Sequence, residues 1–364
     1  MRHMSKLTTR WVRGTLAAAA IVPLMALALV PMNVGAVAAA ASAKPFKVCM
    51  GTGGQGLNWQ TGQGQVLQSI AHKEGWSSVV LSNNNSATTT VNNVEVFIQD
   101  GCNAVVEFNP ASPGDVPAMQ AKFAAAKIPV ITFDVPEPGA YFVGIDNLKA
   151  GIEGGQMLGK IIKSKWACNL DLLIASHAHG AGTVDTQRTG GMITGVLDEC
   201  PTIPQSKIVN DEGGGQVSVA LPAGRNVLAA DPTAKRIAVV GINDSTVVGT
   251  IEAAEQLGRS ADIIGWGQDG SLVTGANVDP HLLGSVFYFL EGYPEAALPL
   301  LKEIAAGHAP PVKDDTHNNP EVLLQPCPVT AAQARNVPGY SARLQKLMQS
   351  AAGTTEYALF CPNK

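Results

Sequence analysis

Between Cys102 and Asp134 the chain spells out one unit of a parallel α/β sheet. Ala104-Val-Val-Glu-Phe108 is a short β-rich apolar run, and Ile128-Pro-Val-Ile-Thr-Phe133 is another. Neither alternates polar with apolar residues, so both read as strands buried on two faces. Between them, Met119, Phe123 and Ala126 sit at helical spacing on an Ala-rich segment opened by Gly114-Asp115. The length is about the minimum for a right-handed strand–helix–strand crossover. The second strand stops on a lone carboxylate, Asp134. Ligands of open α/β sheets gather at the carboxyl ends of strands, so other polar groups at strand ends become the candidates for a site.

The same rhythm runs through the chain. Strands are expected over 46–51, 76–81 and 141–145, with helices over 63–74, 91–100 and 148–164. The second half repeats it, with strands over 170–175, 207–209, 237–241, 262–266 and 283–287. Its helices are expected over 185–199, 217–230, 245–257 and 291–306. Two successive doubly wound parallel sheets fit this α/β pattern better than one very wide sheet. After Gly307, Pro310, Pro311, Pro320, Pro326, Pro328 and Pro338 mark a loop-rich tail with one short helix near 341–349.

The first 43 residues read as a cleaved secretory signal. Arg2, Lys6, Arg10 and Arg13 form a basic start without an acid, Leu16 to Val30 is apolar, and Ala41-Ser-Ala43 is a small-residue cleavage site. Pro23 and Pro31 interrupt the apolar run, which counts against a membrane anchor, and no Cys stands at the cleavage point to carry a lipid. The remaining 321 residues suffice for two domains. They keep 21 of the 25 basic residues and all 29 acids, a net charge of −8. That balance argues against nucleic acid or an anionic membrane as partner. All six Cys lie in the exported part, and an even count in an oxidising compartment favours disulfides.

No catalytic motif assembles. Gly51-Thr-Gly-Gly-Gln-Gly56 has the glycines of a dinucleotide fingerprint, but the next strand ends at Leu81-Ser-Asn83 without the ribose-binding acid. It reads instead as a loop where backbone can approach a ligand. His177 and His179, with Asp185 nearby, could begin a metal site, but no third and fourth ligand has convincing spacing. A surface loop and no metal are the expectation there, and no cofactor is expected. There is no Gly-x-Ser-x-Gly, His-Glu-x-x-His or Walker loop.

Polar residues do recur at strand ends: Asn58, Trp59 and Gln60 after the first strand, Asp134, Arg188, Asn243-Asp244, Gln268-Asp269 and Tyr288. Singly, each could be a rim residue, and Asn243, Asp244 and Asp269 could be helix caps. Together they offer carboxylates, a guanidinium, amides and aromatic faces, which suit a neutral polyhydroxylated ligand.

An ordered series of segments resembles the ribose-type periplasmic sugar-binding proteins. It comprises Asn92-Asn-Val-Glu-Val-Phe-Ile-Gln-Asp-Gly101, Phe108-Asn-Pro110, Ile128-Pro-Val-Ile-Thr-Phe-Asp134, Gly144-Ile-Asp-Asn147, Arg188-Thr-Gly-Gly191 and Gly241-Ile-Asn-Asp244. The resemblance covers roughly residues 46–307. It implies a type I periplasmic binding fold, two doubly wound α/β lobes joined by a three-crossover hinge. The N-terminal lobe would hold 46–146 plus 289–307 and the C-terminal lobe 147–288, with 308–364 a Pro-rich extension. It also implies a monomeric, non-enzymatic periplasmic receptor that passes its solute to an ABC transporter permease. Trp59 resembles a ring-stacking aromatic, and Asp134, Arg188, Asn243 and Asp269 resemble hydrogen-bonding residues. Tyr288 falls where the family often has Gln. The family's ribose binders follow the Asp with Arg, whereas Val135 stands here, and no aromatic stands near Gly213-Gly-Gly215. Both departures point away from ribose itself, toward another neutral sugar or polyol. The rival readings are an exported carbohydrate-active enzyme using Asp134 and Asp269 as acid and base, or a ligand-sensing module for a receptor.

The disulfides follow from placement. Cys168 precedes a strand and Cys200 follows the helix that returns from it, which brings the two to one side of the sheet. Cys49 and Cys102 open strands expected to be neighbours and come second, the alternative being that both are merely small buried hydrophobes, and Cys327 and Cys361 would then staple the tail.

Overall fold

A computed structural model describes residues 45–54, 58–109, 114–274, 278–313 and 319–362. The expected secretory signal, Gly56 and Pro110 lie outside the described residues. Two six-stranded sheets carry the fold.

The first sheet begins with β1 (Lys47–Thr52), α1 (Asn58–Lys73), β2 (Ser77–Ser82), α2 (Ala87–Gln99), β3 (Ala104–Glu107), α3 (Val116–Ala126), β4 (Val130–Phe133) and β5 (Tyr141–Ile145). The second begins with α4 (Asn147–Trp166), β6 (Leu172–His177), α5 (Thr183–Glu199), β7 (Ile208–Glu212), α6 (Val217–Ala230), β8 (Ile237–Gly241), α7 (Asp244–Gln256), β9 (Ile263–Asp269) and β10 (Leu282–Phe287). The chain then continues through α8 (Tyr293–Ala305), β11 (Glu321–Leu324), β12 (Cys327–Thr330), α9 (Ala331–Ala334), α10 (Tyr340–Gln349) and α11 (Glu356–Phe360).

The strand order is β11-β5-β4-β3-β1-β2 in one sheet and β12-β10-β9-β8-β6-β7 in the other. Each β3 and β4 residue is buried, Glu107 and Thr132 included, as expected of strands covered on two faces. In register, Val105 lies beside Val130 and Val106 beside Ile131. Val94, Phe97, Met119 and Phe123 of α2 and α3 cover one face, and Tyr293, Ala297 and Leu301 of α8 join the core on the other. The second sheet is covered likewise by Leu158, Met192 and Val196 on one side and Leu228, Val247 and Ile251 on the other.

The tail differs from the loop-rich reading. It supplies an edge strand to each sheet, β11 parallel to β5 and β12 antiparallel to β10. Pro320 precedes β11, Pro326 separates the two strands, and Pro328 lies within β12. Proline is compatible with a strand edge, where no ladder donor is needed on the outer side. The chain therefore passes between sheets after β5, between β10 and α8, and between β11 and β12.

A second difference concerns α1, which starts at Asn58 rather than near Gln63. Gly62 and Gly64 look like helix breakers in sequence. In the fold a Cβ at Gly62 would run into Tyr340 and one at Gly64 into Val80, so close packing requires them. The six cysteines form Cys49–Cys102, Cys168–Cys200 and Cys327–Cys361, with Cα separations of 5.9, 5.4 and 5.9 Å.

Candidate ligand-binding site

Two carboxylates end strands in a backbone conformation that side chains seldom adopt. Asp134 follows β4 with φ of 63° and Asp269 ends β9 with φ of 85°. Asp enters this region more readily than most residues, yet such conformations still cost about 1–3 kcal/mol and concentrate at functional sites.

Arg188, in the second turn of α5, meets Asp134 from the other sheet. Its Nη2 donates to Asp134 Oδ1 at 2.6 Å, and its Nε donates to Asn147 Oδ1 at 2.7 Å. The guanidinium carbon lies 4.5 Å from the centre of the Tyr288 ring. Tyr293 Oη donates to Asp134 Oδ1 at 3.3 Å. Burial works against the charge of Arg188, but Asp134 and the two tyrosine hydroxyls outweigh it and hold the guanidinium pKa above its usual value.

Tyr288 and Asp269 complete the group. Tyr288 Oη donates to Gln268 Oε1 at 2.5 Å, and Gln268 Nε2 donates to the Gly241 carbonyl at 3.1 Å. Burial pushes the Asp269 carboxyl up to about 6, with the Ser271 side chain and amide and the Arg188 charge pulling the other way. The Ser271 amide donates to Asp269 Oδ1 at 2.8 Å. Behind it, Asp244 is fully buried, and burial together with the Asp269 charge raises its carboxyl well above the usual range. Ser285 Oγ at 2.6 Å and the Leu272 amide at 2.9 Å hold Asp244 in place.

The other candidates are distributed differently. Trp59 is half-buried and packs edge-on against Phe108, with ring centres 5.1 Å apart, at the margin of the core that also holds Tyr288 and Tyr293. Gln60 is buried beside Gly53, and its Oε1 has no hydrogen-bond partner among the described residues. Asn58 is exposed and lines a hollow between α1 and α10, away from the Asp134–Arg188 pair. Asn243 serves as the cap of α7: its Oδ1 accepts from the Thr246 amide at 3.0 Å, and its Nδ2 donates to the Gly215 carbonyl at 2.9 Å.

Asn147 and Tyr293 touch the central pair without having been singled out from the sequence. Asn147 ends the Gly144-Ile-Asp-Asn147 segment, which was a usable signal. Tyr293 opens α8 on the far side of a crossover, 159 residues from Asp134, and no spacing rule reaches it. The assembled group offers carboxylate acceptors, a fork of donors and a phenolic face, drawn from both sheets. That is the equipment for gripping hydroxyls edge-on and C–H surface face-on.

Residues 48–309 match the family described as a periplasmic binding protein domain, and the chain belongs to that family. No curated protein matches it. Among solved structures, it is similar to an ABC transporter solute-binding protein from Mycobacterium smegmatis with bound glycerol. The identity is 22% and the TM-score 0.65, over 80% of this chain and 96% of that one. It is similar to an ABC transporter periplasmic solute-binding protein from Actinobacillus succinogenes 130z with bound D-allose, at 19% identity and TM-score 0.64, over 79% and 99% of the two chains. A third, from Bacillus halodurans C-125 with bound myo-inositol, shows 16% identity and TM-score 0.61 over 81% and 97%. These likenesses establish the type I periplasmic binding fold, with two α/β lobes. No helix among the described residues is long and apolar enough to cross a membrane.

Proposed function

We propose that the protein captures a neutral sugar or polyol of pentose to hexose size between its lobes and delivers it to an ABC importer, without chemical turnover. The observation that carries this reading is the contact of Asp134 with Arg188 across the two sheets, flanked by Tyr288, Tyr293 and Asp269. A closing cleft needs matched polar groups on both sides, and this group supplies them. The ligands held by the structural relatives, D-allose, glycerol and myo-inositol, belong to one chemical class and support the assignment.

In this reading Asp134 accepts from adjacent hydroxyls on the N-terminal side. Arg188 and Asp269 answer from the C-terminal side, Trp59 covers an apolar face, and Gln60 offers its amide oxygen. Asn243 contributes through the backbone it caps. The lobes are 46–146 with 289–307 and 147–288, and 308–364 is an extension attached to both. The first 43 residues direct export to the periplasm and are cleaved in the process, and the receptor works as a monomer beside its permease. Asp134 is already engaged by Arg188 and Tyr293, which suits a binding carboxylate better than a glycosidase acid or base.

The test is a melting-temperature screen against pentoses, hexoses and polyols, followed by chromatography of each stabilising compound. A hundredfold excess of ligand over its dissociation constant stabilises by about 2.7 kcal/mol. A clear shift with the sugar recovered unchanged is expected. Consumption of the sugar, or no shift with any member of the panel, overturns the reading.

A further inference from the structure

The His-x-His segment after β6 gains in the fold the partners that its spacing does not reveal. His177 ends β6, His179 follows in the loop, Asp185 lies in the first turn of α5, and Glu212 ends the neighbouring strand β7. The two imidazoles stack, with centres 4.9 Å apart and planes 18° from parallel. Each is backed by a carboxylate. His177 Nδ1 is 2.7 Å from Asp185 Oδ2, and His179 Nδ1 is hydrogen-bonded to Glu212 Oε2. One ligand atom from each of His177, His179 and Asp185 lies within 4.8 Å of the others.

From this juxtaposition we propose that His177, His179, Asp185 and Glu212 form a binding site for a divalent transition-metal ion of the zinc class. Two imidazoles and two carboxylates are a set that Zn2+ accepts, at roughly 2.0–2.2 Å per bond in tetrahedral geometry. Calcium and magnesium prefer all-oxygen sets, whereas imidazole selects the later first-row metals. Each imidazole is hydrogen-bonded to its carboxylate, and a single ion gathered by the four groups would replace both hydrogen bonds, with release of the protons they hold.

The two sides of the site differ in rigidity. Asp185 is buried, and its other oxygen accepts from the Ala178 amide and from Thr189 Oγ1, both at 3.0 Å. It fixes His177 in turn. The side chains of His179 and Glu212 are 69% and 51% exposed and are free to draw in around an ion. A second group, Glu255, Asp279 and His281, also has ligand atoms within reach of one another. It has only one imidazole and no buried carboxylate behind it, so it is the internal control.

The site lies at the carboxyl end of β6 and the edge strand β7, while Asp269 ends β9 two strands in from β6. Asp185 precedes Arg188 by three residues on the same helix. A bound ion would thus pin the loop 178–182 and the first turn of the helix that carries Arg188.

The experiment is calorimetric titration of the purified, chelator-treated protein with ZnCl2 in a non-coordinating buffer, with metal content confirmed by native mass spectrometry. One ion per chain is expected. His179→Ala should weaken binding at least tenfold, and His177→Ala with His179→Ala should abolish it. Glu255→Ala with His281→Ala should leave the isotherm unchanged. His179 stands on an exposed loop, so its variant keeps the test decisive even if the double variant folds poorly. Absence of binding to the wild type, or an isotherm that His179→Ala leaves untouched, overturns the proposal. The sugar screen plays no part in this readout, so the two assignments stand or fall separately.

Discussion

Arg188 is a buried cation whose three contacts come from three places: Asp134 after β4, Asn147 at the start of α4 and the Tyr288 ring after β10. A lysine in its place would supply a point charge rather than a fork and could not serve Asp134 and Asn147 together. For a sugar that the wild type binds, Arg188→Ala and Asp134→Ala should each lose roughly 2–5 kcal/mol of affinity, as truncation of a buried charged partner does. Calorimetry checks this, and unchanged affinity in both variants would move the site elsewhere. Glu137 offers a second test, on stability. Burial pushes its carboxyl up to about 7, against hydrogen bonds from Gln120 and Asn109 that pull it down. The folded protein therefore keeps a proton there that the unfolded chain gives up near the ordinary value of 4.5. Stability from this group is present below that value and is lost as pH rises through about 7. Glu137→Gln should gain on the wild type by roughly 1–3 kcal/mol between pH 5 and pH 8. Denaturant melts at the two pH values measure it, and a difference that does not change with pH would show that Glu137 is ionised throughout.

At the scale of elements, the central strands of the two sheets were legible because each is a short, largely apolar run with a helix period beside it. The tail was not. Glu321-Val-Leu-Leu324 is four residues long and alternates exposed with half-buried positions, and prolines surround it, so nothing local separates it from loop. It becomes a strand only because β5 lies beside it. The same reason hides part of the site. Asp134 and Arg188 stand where strand-end reasoning looks, but Tyr293 enters through a crossover, and Asn58 turns toward α10 once α1 begins there. The tail is also anchored by charge. Arg343 of α10 donates to Glu291 Oε1 through Nε at 3.0 Å and Nη2 at 2.6 Å, and both side chains are buried. Arg343→Ala would leave Glu291 and the equally buried Glu356 beside it without their shared cation and should cost about 3–5 kcal/mol. Chemical denaturation reads this directly, and a loss below 1 kcal/mol would mean that water reaches Glu291 when the arginine is gone.

For the whole molecule, three passages of chain join the sheets, and the tail adds a further tie. Leu344 and Leu347 of α10 pack with Val66 and Ile70 of α1, beside the first sheet. Phe360 and Cys361 join the core of the second, where Cys361 is bonded to Cys327. Bending about the three passages should therefore be limited in amplitude but still driven by ligand. X-ray scattering should show a smaller radius of gyration with saturating sugar than without it. An identical envelope in both states would mean that the lobes do not move, or that the Asp134–Arg188 contact already holds the empty protein shut. The edge strands carry one more consequence, which concerns time rather than space. Both sheets take their last strand from residues 321–330, and the final disulfide waits for Cys361. A chain made from its amino end has therefore delivered most of two sheets before either can be finished. Until then β5 and β10 each present an open edge, the kind of surface on which chains join one another. A chain cut short before residue 321 keeps the edges of β5 and β10 in place of the proline-flanked β11 and β12 that cover them in the finished sheets.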